Sequence, residues 1–194
     1  MAFRTITRTY KVSSLEGLRG PNRQAALSAV ARQREEEFNE FHSEELLNTL
    51  QAIALKFGAL LKTWSFGLFS RSHVVVDTET MSEQVREQAV MWLNEHITYR
   101  RGELPEGCEC PFTGVYYDEY FFDMLTQEEV LTVDNVGSII ARGIAFTLNR
   151  AITTEEESII SQEENERYAL DMGLEFLEDG SIYHGEDDNE EDED

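Results

Sequence analysis

The sequence predicts an α+β fold: a helix-dominated single domain over residues 1–183 with about five helices and a small antiparallel sheet, then a disordered acidic tail over 184–194. Three observations lead there. Apolar residues recur at helical spacing in several separate stretches, while β-branched and aromatic runs gather in short segments apart from them. The 194 residues suit one domain of ordinary size, and the 41% hydrophobic content, with 11 Phe, 7 Tyr and 2 Trp, supplies material for a core. The final residues, HGEDDNEEDED, offer no side chain to bury.

Residues 2–12 read as a strand, with Ile6, Tyr10 and Val12 on one parity. Arg4 and Arg8 share that parity, which suits an edge strand. Gly17, Gly20 and Pro21 punctuate the chain before a helix from Asn22 to Phe41, whose apolar positions Ala26, Leu27, Val30, Phe38 and Phe41 keep helical spacing loosely. Ser43, followed by Glu44 and Glu45, is the expected N-cap of a second helix reaching Leu61. Leu46, Leu50, Ile53, Ala54 and Phe57 give that helix its core stripe.

Trp64 to Thr78 reads as a hairpin, expected to pair with the N-terminal strand. Ser82 and Glu83 open a helix to Tyr99, and the segment 102–114 is loop by composition. In VYYDEYFFDML, residues 115–125, aromatics and acids interleave, which fits either a core element with an acidic outer edge or an interface. Asp134 is the expected cap of a helix from Asn135 to Ile152, and Thr154, ahead of three glutamates, the cap of another ending at Gly173. LEFLEDGSIY, residues 174–183, offers two short extended runs about the turn pair Asp179 and Gly180.

Charge narrows the function. The net charge of −23 exceeds the magnitude of about 2 to 8 that serves solubility in a small domain. It is also segregated: residues 1–34 hold seven bases against one acid, and residues 153–194 hold 18 acids against one base. The N-terminus shows no signal peptide, and the most apolar run, Leu46 to Leu68, is broken by Asn48, Gln51, Lys56 and Lys62, so a cytoplasmic protein without a membrane span is expected.

Chemistry-bearing patterns are missing from the sequence. Cys108 and Cys110 are one residue apart, too close for an unstrained disulfide and two ligands short of a zinc site, so they read as free thiols. His42, His73 and His96 are scattered, and neither GxSxG, GxxxxGK[ST] nor GxGxxG occurs. No enzyme activity, cofactor or metal is therefore expected.

In composition the chain is similar to the small acidic DNA mimics that phages and mobile elements direct against host nucleases. The resemblance is one of type and carries over no motif. It implies a non-enzymatic inhibitor whose partner is a basic, nucleic-acid-binding host protein, with no direct nucleic-acid binding by the acidic body. The expected partner-binding residues are Glu35, Glu36, Glu37, Asp118, Glu119, Asp123, Glu155, Glu156, Glu157, Glu163, Glu164 and Glu166. Two other readings share the charge pattern: a nucleic-acid-associated accessory protein with a basic arm and acidic tail, and an assembly chaperone, immunity protein or antitoxin that shields a basic partner.

Overall fold

The computed structural model describes residues 9–100, 111–114, 116–125 and 130–185, with only the backbone over 97–100. The expectations for the strand residues 2–8, for the loop holding Cys108 and Cys110, and for the tail 186–194 lie outside the described residues.

The fold is α+β, dominated by helices, with a small antiparallel β part. In chain order it runs β1 (Val12–Ser14), a 3-10 turn (Leu15–Gly17), α1 (Gly20–Glu37), a π turn (Phe38–His42), α2 (Ser43–Lys56), β2 (Leu60–Ser65) and β3 (His73–Asp77). It continues with α3 (Glu83–Arg100), α4 (Tyr117–Leu125), α5 (Val136–Ile160), α6 (Gln162–Asp171) and β4 (Glu175–Leu177). The chain forms two compact units, residues 1–36 with 157–194 and residues 37–156.

In the first unit β1 pairs antiparallel with β4, Val12 opposite Leu177. The expected sheet is thereby corrected, because the N-terminal strand joins the extended run before Asp179 rather than the hairpin. Phe176 is fully buried with Leu15, Ala26, Leu27, Val30 and Ala169. The predicted turn at Gly180 has φ 90, and a Cβ there would stand 2.5 Å from the Asn22 carbonyl oxygen. Only glycine accommodates both the left-handed backbone and that approach.

In the second unit β2 and β3 form the expected hairpin, with a bulge at Lys62 between Leu61 and Thr63. The preceding helix ends at Lys56 instead of Leu61, since Gly58 takes φ 66 and turns the chain. The core gathers Leu46, Leu50, Ile53 and Phe57 from α2, Leu93 from α3, Phe121 and Leu125 from α4, and Ile139, Ile140 and Ile144 from α5. Phe121 lies where a Cβ on Gly143 would stand 2.5 Å from its ring, so the bare glycine lets α4 and α5 approach.

Two of the expected N-caps lie inside helices. Ser43 is no cap: it has helical φ −63 and ψ −38, and its hydroxyl donates back to the Asn39 carbonyl at 2.7 Å. Phe38 and Leu46, both buried, are eight residues apart, an offset of about 80° in α geometry that the wider π turn takes up. Thr154 is likewise internal to α5, because Ala151, Ile152 and Ile159 continue its buried stripe. The break comes at Ser161, whose hydroxyl accepts the Glu164 backbone N–H at 3.3 Å. Among the described residues there are five helices if the continuous run from Gly20 to Lys56 counts once, with α4 replacing one that the sequence divided.

Candidate functional site

The twelve acids singled out by sequence divide equally between the units, and the two sets are described separately. Glu37, Asp118, Glu119, Asp123, Glu155 and Glu156 belong to the second. Asp118 is withdrawn from the surface altogether, being 0% exposed. From the first turn of α4 its side chain turns back onto the incoming loop. Its Oδ2 accepts the backbone N–H groups of Phe112 at 2.8 Å, Thr113 at 2.9 Å and Gly114 at 3.3 Å. Its Oδ1 accepts the Thr113 hydroxyl at 2.9 Å. Four donors thus replace the water that a buried carboxylate loses.

The bond to Asp118 uses the Thr113 hydrogen, so the fully buried Thr49 hydroxyl, 3.1 Å away on α2, donates to Thr113. Asp118 anchors a loop, and the α4 segment is a core helix with an acidic edge: Tyr117, Phe121, Phe122 and Leu125 are buried while Glu119 and Asp123 are exposed.

Glu155 and Glu156 are also engaged. Glu155 accepts the Tyr116 hydroxyl at 2.6 Å. Desolvation, and then this bond to a carboxylate, pushes the Tyr116 phenol well above the usual tyrosine range. Desolvation raises neighbouring Tyr117 too. The Glu156 Oε1 accepts the backbone N–H of Phe69 at 2.5 Å. Phe69 has φ 56, a strained value for a side-chain-bearing residue, so Glu156 holds the turn between β2 and β3 in place. Glu37 is half-buried just before the π turn.

In the first unit Glu166 pairs with Arg23 at 2.9 Å and accepts from the Gln162 amide at 2.7 Å. Glu164 pairs with Arg167. Glu35 is half-buried, while Glu36, Glu157 and Glu163 are exposed. The basic N-terminal segment is partly consumed inside this unit. Arg34 donates to the Ser158 carbonyl at 3.0 Å, the Ser158 hydroxyl at 2.6 Å and Asn165 at 2.7 Å, with its guanidinium 5.4 Å from the Tyr168 ring centre. Arg19 donates to the carbonyls of Glu16 and Leu18.

Acids that the sequence reading passed over are exposed as well. Glu40, Glu44 and Glu45 are exposed at the π turn and the start of α2, as are Glu83, Glu87 and Glu95 on α3. Glu83 and Glu87 are four residues apart on α3, which places like charges on one face about 6 Å apart along the axis, and Glu40 and Glu44 have the same sequence spacing across the end of the π turn. Such pairs weaken a helix slightly. Their four-residue spacing was the available signal.

The second unit also carries an uncharged groove of about 470 Å³ between α2 and β2, lined by Asn48, Gln51, Ala52, Leu55, Leu60, Leu61 and Trp64 among others. A cleft of about 390 Å³ in the first unit is lined by mixed charges, with Arg32 and His184 beside Glu36 and Asp179. Among the described residues no three His, Cys, Asp or Glu side chains gather as a metal site, and no helix is long and apolar enough to cross a membrane. No known protein family, curated protein or solved structure matches the chain.

Proposed function

We propose that the chain is a non-enzymatic cytoplasmic inhibitor that presents helix-borne carboxylates to the basic nucleic-acid groove of a host protein. The observation that carries this reading is the division of labour among the acids of the second unit. Asp118, Glu155 and Glu156 hold the fold through specific bonds. Glu40, Glu44, Glu83, Glu87 and Glu95 are exposed on helices, where they have fixed spacing.

A groove that binds phosphates draws most of its affinity from neutralising a regular anionic array, and carboxylates on a rigid helix meet it without the ordering cost of a flexible chain. The net charge of −23 steers such a partner from a distance. The test is a binding assay against purified host nucleic-acid-binding proteins over a range of salt. Binding that duplex DNA competes away and that weakens steeply with salt supports the reading. Affinity that stays flat with salt rejects it.

A further inference from the structure

We propose that the groove between α2 and β2 is the interface of a symmetric dimer, in which β2 of a second copy lies antiparallel along the open edge of β2. The hairpin is a two-stranded sheet, so one edge of β2 carries no strand among the described residues. Isolated two-stranded ribbons are marginal in water, and unpaired edges are templates for another strand. Beside this edge the surface is apolar: Leu55 is 79% exposed, Leu60 55% and Trp64 41%. Lysine often guards such an edge, but the Lys62 ammonium is drawn to Asp77 of β3 at 2.8 Å.

Two features select a second copy as the occupant. The strand is self-complementary. The bulge at Lys62 puts Leu61 and Trp64 on one face, opposite Val76 and Val74. Antiparallel pairing about the strand's midpoint sets Trp64 of each copy against Leu61 of the other, giving two equivalent apolar pairs across the dyad. The groove lining also contains no acid in a chain with 39, so a like-charged copy can approach here without facing carboxylates.

Sedimentation velocity of the full chain tests this between about 0.1 M and about 1 M salt, over which the screening length falls from about 10 to about 3 Å. The expected result is a species of twice the 22.3 kDa chain mass that strengthens with salt. Leu55→Glu and Leu60→Glu, each with an unchanged circular dichroism spectrum, should raise the dimer dissociation constant at least about 100-fold, because each buries an unpaired charge in the apolar interface along the groove. Leu170→Glu, at an exposed apolar position on α6, should leave it unchanged. A monomer under all conditions, or a dimer that all three variants leave alike, overturns the proposal.

Discussion

Replacing Asp118 by Asn separates an acid that holds the fold from one that meets a partner. The carboxylate serves four donors, three of them backbone N–H groups converging on Oδ2. An amide in its place keeps one acceptor atom, and whichever way it turns, an N–H₂ group faces a former donor. Hydrogen bonds to a charged acceptor contribute about 1.5 to 3 kcal/mol each and neutral ones about 0.5 to 1.5. Weakening three and losing one, with Thr113 and Gly114 themselves exposed, gives an expected loss of about 2 to 4 kcal/mol. Urea unfolding followed by circular dichroism reads this as a lower midpoint at unchanged slope. Glu87→Gln and Glu95→Gln, exposed on α3, should stay within about 0.5 kcal/mol of wild type. An Asp118→Asn protein as stable as those two would refute the anchoring role.

Other substitutions probe the remaining assignments. Ser161→Ala should lose about 1 kcal/mol of stability by urea titration, as a true N-cap does, whereas Thr154→Ala should stay within about 0.5 kcal/mol. Gly180→Ala should lower the melting temperature markedly, since it adds strain at φ 90 and a contact with the Asn22 carbonyl that cannot yield. Raised phenol pKa values give a pH signature. Below about pH 10 both folded and unfolded chains keep these protons, and above it only the folded chain does, so stability should fall as pH rises past about 10. Combining Tyr116→Phe with Tyr117→Phe should flatten that fall in urea midpoints, and an unchanged slope would contradict the assignment.

Much of the fold was legible because apolar periodicity reports burial directly. The stripe Leu46, Leu50, Ile53 and Phe57 and the hairpin's β-branched run appear where expected. Boundaries were less legible where local signals competed with tertiary packing. Thr154 and Ser161 each precede a glutamate by three residues, the same capping pattern, and only the buried Ile159 decides that the helix runs through the first. Ser43 failed as a cap because the π turn lets Phe38 and Leu46 share a core face without breaking the helix. At the candidate site, sequence identified acidity but not which acids are exposed. Asp118 and Glu119 are neighbours in sequence, yet one is sealed under a loop and the other is exposed. That difference is set by the fold of residues 112–114, which no local pattern encodes. Exposure of Glu40, Glu44, Glu83 and Glu87 follows equally from packing on the opposite helix faces.

The central claim, that fixed helix carboxylates occupy a nucleic-acid groove, is tested most directly by charge reversal on a captured partner in competition with duplex DNA. One variant converts Glu40, Glu44, Glu83, Glu87 and Glu95 to Lys; the other converts Glu186, Asp187, Asp188, Glu190 and Glu191. The chain and the duplex should exclude each other from the partner. The helix variant should bind at least about tenfold more weakly than the tail variant, because each helix position loses an attraction and gains a repulsion inside a focused field. A ternary complex of partner, duplex and chain, or equal affinity of the two variants, would contradict the account.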